Sequence, residues 1–302
     1  MKSFKKNHIT ASILLAMLGA YALPASATPV VLQNGYVQAG VSDYGTLGSD
    51  GNTPPGILFD KTGTGAYGIN DFLTPGSPFE GFYLSYGTAA GGSGFAGNNN
   101  TGTSNFGTAS PTSLSATSAM WTGSNGILNL TNTYSLTTFG GQSVIAIQTT
   151  ITNTTTSALS NVDFLRTLDP DPDVNAYGSY YTTNSVLSKD QACGTGPSSG
   201  QTICVYSFDS VAHNAGVSAS WTTSPASYLA GLNDGNGDYA IGVAFDIGTL
   251  AAGQTMTIGY GYSLGATKSD ATGGGTVPEP ASLALLGLSL GGLALTRRRR
   301  KV

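Results

Sequence analysis

Between residues 28 and 265 the chain repeatedly alternates apolar with polar side chains, a period of two that puts successive residues on opposite faces of a sheet. Tyr239, Ile241, Val243, Phe245 and Ile247 make one such run, and Met256, Ile258, Tyr260, Tyr262 and Leu264 make another after a connection from Gly248 to Gly253. Together they predict an antiparallel hairpin. Ile127 to Thr138, the Gly140-Gly141 turn and Val144 to Thr152 predict strand, turn and strand, and Val162 to Leu168 predicts a further strand beyond the polar loop from Asn153 to Ser160. Helical periodicity is absent from this region. The expected fold class is therefore all-β, an antiparallel β-sandwich filling residues 28–265 as one large sandwich or two small ones. The Gly/Ser/Asn-rich stretch from Gly87 to Gly107 reads either as a linker or as a long surface loop.

The two ends follow different patterns. Lys2, Lys5 and Lys6 precede an apolar run from Ile9 to Leu23 and the small-residue site Ala25-Ser26-Ala27. This order predicts a signal peptide over residues 1–27, removed by signal peptidase with Ala25 and Ala27 as the recognised positions. At the other end Pro278, Glu279 and Pro280 lead into an apolar stretch that runs to Leu295, followed by Arg297, Arg298, Arg299, Arg300 and Lys301. The apolar stretch predicts one transmembrane helix, and the basic cluster stays cytoplasmic by the positive-inside rule. Residues 266–276 read as a flexible linker between the ectodomain and this tail.

The three-part tail over residues 277–302 resembles a PEP-CTERM sorting signal. The resemblance implies a Gram-negative host that makes exopolysaccharide, and an exosortase that recognises Pro278, Glu279 and Pro280 and processes the tail. It also implies an inner-membrane intermediate, followed by the cell surface or extracellular matrix. Within the ectodomain, Val144 to Thr167 and Leu250-Ala251-Ala252-Gly253-Gln254 are similar to strand pairs in secreted Ig-like and mutarotase-like β-sandwiches.

Composition sharpens the choice of partner. Only 9% of the 302 residues are charged, against roughly 25% in an average soluble chain, while Gly reaches 43 and Tyr 15. Of the 12 basic residues all but Lys61, Arg166, Lys189 and Lys268 lie in the two end segments, so the ectodomain is strongly acidic. Nucleic acid is excluded as a partner, because phosphate neutralisation needs clustered Lys and Arg. A cation or a neutral glycan suits this balance better. Cys193 and Cys204 flank a turn-rich decapeptide in a chain bound for an oxidising compartment, which predicts a disulfide.

Two loops carry candidate chemistry. Asp169, Asp171 and Asp173 alternate with Pro170 and Pro172, and Asp234, Asn236 and Asp238 alternate in a second loop. Both arrays offer hard oxygen donors of the kind calcium takes in sets of six to eight. They read either as calcium sites or as solvated acidic turns at strand ends. The second loop resembles the start of an EF-hand loop, but Tyr239 stands where the turn Gly belongs and Phe245 where the bidentate Glu belongs.

Catalytic signals are thin. Glu80 is the single Glu of the ectodomain, whereas glycoside hydrolysis uses paired carboxylates, for which Asp169, Asp171 and Asp173 are the available candidates. Gly196-Pro197-Ser198-Ser199-Gly200 matches a nucleophile elbow but lacks the following helix. Tyr83, Tyr86, Tyr180, Tyr181, Trp121 and Trp221 offer rings for sugar stacking, with Trp121 and Trp221 reading first as core. The sequence thus points to a structural or adhesive protein of the cell surface or exopolysaccharide matrix, with no enzymatic activity expected. The alternative is a polysaccharide-binding lectin or a glycan-active enzyme.

Overall fold

In the computed structural model, residues 29–48, 55–69, 71–73, 79–139 and 142–273 are described. The leader with Ala25 and Ala27, and the tail with Pro278, Glu279, Pro280 and Arg297 to Arg300, lie outside them, as does the expected transmembrane helix. Among the described residues no helix is long and apolar enough to cross a membrane.

The described chain is an antiparallel β-sandwich. Its strands in order are β1 (Val30–Gln33), β2 (Val37–Val41), β3 (Ile57–Phe59), β4 (Glu80–Gly87), β5 (Ser93–Asn99), β6 (Thr112–Ser115), β7 (Ser118–Ser124) and β8 (Leu128–Phe139). They continue with β9 (Gln142–Asn153), β10 (Leu159–Leu168), β11 (Thr183–Ser188), β12 (Gln191–Thr195), β13 (Thr202–Ser207), β14 (His213–Ser218), β15 (Ala240–Leu250) and β16 (Thr255–Gly265). Three short helices interrupt them: α1 (Val174–Tyr177), α2 (Pro225–Leu229) and α3 (Lys268–Thr272). An eight-stranded sheet in the order β11-β12-β13-β16-β9-β8-β7-β6 faces a five-stranded sheet in the order β14-β15-β10-β4-β5, and β1, β2 and β3 form a small third sheet. Rings from both large sheets interdigitate at the centre, with Phe164 on β10 lying 5.5 Å from Tyr260 on β16 and 6.4 Å from Phe82 on β4.

The expected hairpin between the last two long strands is not formed. β15 pairs with β10 and β14, whereas β16 pairs with β9 and β13, so the Gly248-to-Gly253 connection arches from one sheet to the other. Both strands bury every second side chain against the same core, and Phe245 meets Tyr260 across it at 5.8 Å. A period of two describes a strand's own faces and is silent about its partner. Asn153 clamps the arch, its amide donating to the carbonyls of Leu250 and Ala251.

The Gly-rich stretch after Gly87 is neither linker nor loop throughout, since it contains β5. Gly94 and Gly97 lie under the rings of Tyr86 and Tyr83, where a Cβ would come within 2.3 Å of ring carbon. The glycines there make room for rings. Likewise the segment expected as a flexible linker begins with α3. Thr267 caps it by accepting the Asp270 amide at 3.2 Å, and Ala271 packs on the disulfide that joins Cys193 and Cys204 on paired strands.

Inside this apolar frame sits one ion pair. Arg166 on β10 and Glu80 on β4 are both fully buried, with Nε donating to Oε1 at 2.5 Å. Tyr262 donates to the same carboxylate at 2.7 Å, and the Leu47 amide donates to its other oxygen at 2.7 Å. Arg166 also donates to the Gly45 carbonyl and to the Tyr134 hydroxyl. Burial pushes the Glu80 carboxyl up while Arg166 pulls it down, and Glu80 in turn holds Arg166 protonated. The network ties both sheets to the loop around Gly45. That loop needs glycine, because at φ +67° a Cβ would strike the Trp121 indole at 2.3 Å.

Removing one partner leaves the other charge buried alone, which costs about 3–5 kcal/mol. Glu80→Gln is expected to lower unfolding stability in urea by that amount, and Glu80→Gln combined with Arg166→Met to restore a large part of it. A single-variant loss below 1 kcal/mol would contradict this assignment.

Candidate functional site

The end of β10 and the start of β15 lie side by side, with Leu168 opposite Ile241 and Leu168 also opposite Glu80 of β4. The two acidic loops read separately in the sequence therefore meet at one edge of the sandwich. Asp169, Asp171 and Asp238 each present a carboxylate oxygen, and these oxygens all lie within 4.8 Å of one another. Asp169 and Asp171 are 1% and 2% exposed, while Asp238 opens to solvent.

Backbone bonding explains the burial. The Asp169 amide donates to the Phe79 carbonyl at 2.7 Å and the Asp171 amide to the Phe72 carbonyl at 2.9 Å, so the Asp-Pro-Asp segment is laced down as an extended strip. Pro170, between these anchors, has no N–H to satisfy and biases Asp169 toward extended backbone. Alternation then turns the two carboxyls the same way.

The trio is electrostatically incomplete. Asp169 Oδ1 and Asp171 Oδ1 are buried without any hydrogen-bond partner. Burial, with the charges of Asp171 and Asp238 adding to it, raises the Asp169 carboxyl to about 9, and burial with the charge of Asp238 raises Asp171 to about 8. Asp238 is raised by burial against a hydrogen bond from Asp169. Three carboxylates this close, two of them dry, require either protons or a cation. The group can hold a metal ion, and its donors are all hard oxygens.

The other expected ligands are directed elsewhere. Asp173 is fully buried and accepts the amides of Ser198 at 2.7 Å and Ser199 at 3.0 Å, which pins the β12–β13 turn. That turn is the elbow-like Gly196-to-Gly200 sequence, and it runs into β13, a strand. Asp234 accepts the Ala219 amide and Asn236 the Asn184 amide, both at 2.8 Å. These three side chains accept backbone amides, and among the described residues the expected ligands whose carboxylates converge are Asp169, Asp171 and Asp238.

Aromatic residues divide in the same way. Trp121, Tyr83 and Tyr86 are core, whereas Tyr180 and Tyr181 are about half exposed and follow α1, which itself ends in exposed Tyr177. Trp221 is half-buried, and its Nε1 donates to the Asp238 carbonyl at 3.0 Å. Its ring stacks on Phe79 at 6.5 Å with 14° between planes. Tyr177 and Phe79 went unnoticed in the sequence, since neither stands in a motif.

Comparison with known proteins adds a sorting signal and a fold. Residues 276–300 match the PEP-CTERM protein-sorting motif, so the chain carries a signal for export and exosortase-mediated processing at a membrane. No curated protein matches the chain. Among solved structures, a bacterial glucoamylase complexed with acarbose is similar over 82% of this chain and 34% of its own, at 10% identity and a TM-score of 0.50. The chain thus spans about a third of that protein. An aldose 1-epimerase assignment attaches to an Escherichia coli K12 structure that matches 79% of this chain and 99% of its own, at 13% identity and a TM-score of 0.43. A polysaccharide lyase matches 82% of this chain and 34% of its own, at 11% identity and a TM-score of 0.38.

The expectation of no enzymatic activity is corrected by the first of these likenesses, because a glucoamylase contains the same fold and the fold therefore gives no ground for excluding catalysis. A single Glu and the lack of a catalytic motif were insufficient grounds for excluding such chemistry. A fold does not fix an activity, and the likeness to the glucoamylase establishes the β-sandwich alone.

The raised carboxyls set a pH dependence. A carboxyl with a higher pKa folded than unfolded stabilises the fold fully below the unfolded value, about 3.9 for Asp, and loses that contribution as pH rises through the folded value. With chelator present, the melting temperature is expected to fall as pH climbs from 6 through 9. Asp169→Asn with Asp171→Asn should flatten that fall, and a flat wild-type profile would contradict the site.

Proposed function

We propose that the chain is delivered to the cell surface or extracellular matrix and that its exported domain engages polysaccharide at a calcium ion held by Asp169, Asp171 and Asp238. Signal peptidase removes the leader and an exosortase reads Pro278, Glu279 and Pro280. The observation that carries the calcium reading is the pair of buried, unpartnered oxygens on Asp169 and Asp171 beside a third carboxylate. Calcium accepts six to eight oxygens at 2.3–2.6 Å in flexible geometry, whereas magnesium demands a near-ideal octahedron. Three carboxylates supply at most six oxygens and leave room for others.

Three features support polysaccharide as the partner. Tyr177, Tyr180 and Tyr181 stand exposed on the segment that follows the Asp-Pro-Asp strip, and tyrosine pairs an apolar face with a polar edge. The ectodomain has too little positive charge for nucleic acid. The glucoamylase that shares the fold is itself a carbohydrate-active protein. A cation in the trio would neutralise the local charge, fix the two acidic loops to each other and offer coordination sites to hydroxyl groups.

Calcium binding competes with protons for the same oxygens, so its stabilising effect should grow with pH. Millimolar calcium is expected to raise the melting temperature of the full chain more at pH 8.5 than at pH 6, and Asp171→Asn to abolish the rise. Co-sedimentation with neutral polysaccharide should require calcium and be lost in chelator. Equal melting with and without calcium at both pH values would overturn this reading.

A further inference from the structure

Trp221 holds an uncommon backbone. Its φ is +50°, and among the described residues Asn161 is the only other non-glycine with a positive value. Such a conformation is strained for a bulky residue and persists only where the surroundings over-determine it. Here they do. The indole Nε1–H donates to the Asp238 carbonyl, the ring lies on Phe79, and the next amide, that of Thr222, donates to Ser218 Oγ at 3.0 Å.

The same contacts tie the ring to the acid trio from two sides. Asp238 is one of its three carboxylates, and the Phe79 carbonyl accepts the amide of Asp169, another of them. Core packing does not account for the ring. The two large sheets are filled by Trp121 and by the Phe82, Phe164, Phe245 and Tyr260 rings, all essentially inaccessible, whereas Trp221 keeps part of its surface in water. A large apolar ring is thus held under strain, in partial contact with solvent, beside a cluster that lacks counter-charge.

Resting on the calcium reading above, we propose that Trp221 and the Asp169, Asp171 and Asp238 trio form one binding site for a neutral pyranose unit. Adjacent sugar hydroxyls complete the coordination of the ion, and the apolar C–H face of the sugar lies against the indole. A pyranose suits the pair because its hydroxyl edge and its C–H face are different sides of one ring, matching a hard cation beside an aromatic surface. Neutrality follows from the acidic ectodomain, which repels uronates and sulfated sugars. Trp221 is then a specificity-determining residue, held in register with the ion by its bond to Asp238.

The test uses the full chain with calcium alone, then with maltotriose and galactose as neutral probes and polygalacturonate as the anionic control. Calorimetry gives calcium affinity separately from saccharide affinity, and tryptophan fluorescence follows Trp221 because Trp121 is only 1% exposed. Trp221→Gly removes the ring and relieves the strained backbone, and Trp221→Tyr keeps a ring. The expected result is calcium-dependent binding of a neutral probe with a fluorescence change, weakened roughly tenfold by Trp221→Gly and largely kept by Trp221→Tyr. Calcium affinity should be unaltered in both variants. Saccharide binding that survives Trp221→Gly, or calcium binding with no neutral probe bound, overturns the sugar site and leaves the metal reading standing. Failure of calcium to bind the wild-type chain overturns both.

Discussion

The buried pair of Glu80 and Arg166 is the constraint on which the arrangement depends. A charge in the middle of an apolar sandwich is tolerable only when paired and hydrogen-bonded, and these two are bonded to groups from both sheets and from the Gly45 loop. Meeting that demand fixes β4 against β10. Glu80 stands opposite Leu168, the residue before Asp169, so the pairing that satisfies the core charge also places the first carboxylate of the surface site.

At the surface the same physics runs in the other direction. Core charge is matched within the protein, whereas the charge of Asp169, Asp171 and Asp238 is left unmatched. Protons are the fallback, which is why burial drives two of these carboxyls up to about 9 and 8. A hard cation would replace those protons, and Asp238, exposed at the surface, would leave it a side open to solvent. Nearby Asp173 shows the contrast, because two amides of the β12–β13 turn donate to its two oxygens and partner the buried carboxylate within the protein.

Much of the fold could be read from alternation, and the errors have a common origin. The runs from Ile127 to Thr152 gave a true hairpin, β8 with β9, because two strands so close in sequence have little choice but to pair. The run after Gly248 looked alike but turns into the opposite sheet, since both inner faces are apolar and side-chain period cannot tell which partner a strand will take. That one mispairing hid the site. With β15 assigned to β16, Asp238 had no reason to lie near Asp169, and the two acidic loops read as separate candidates. Trp221 could be noticed as an aromatic residue, but its strained backbone and its bond to Asp238 exist only in three dimensions.

The most direct measurement is diffraction from crystals of the chain grown with calcium, using anomalous signal to locate the ion. The account predicts one strong peak among Asp169, Asp171 and Asp238, with oxygens at 2.3–2.6 Å and at least one coordination position open toward Trp221. Three carboxyls hydrogen-bonded to one another with no peak between them, at pH 8.5 and millimolar calcium, would contradict it.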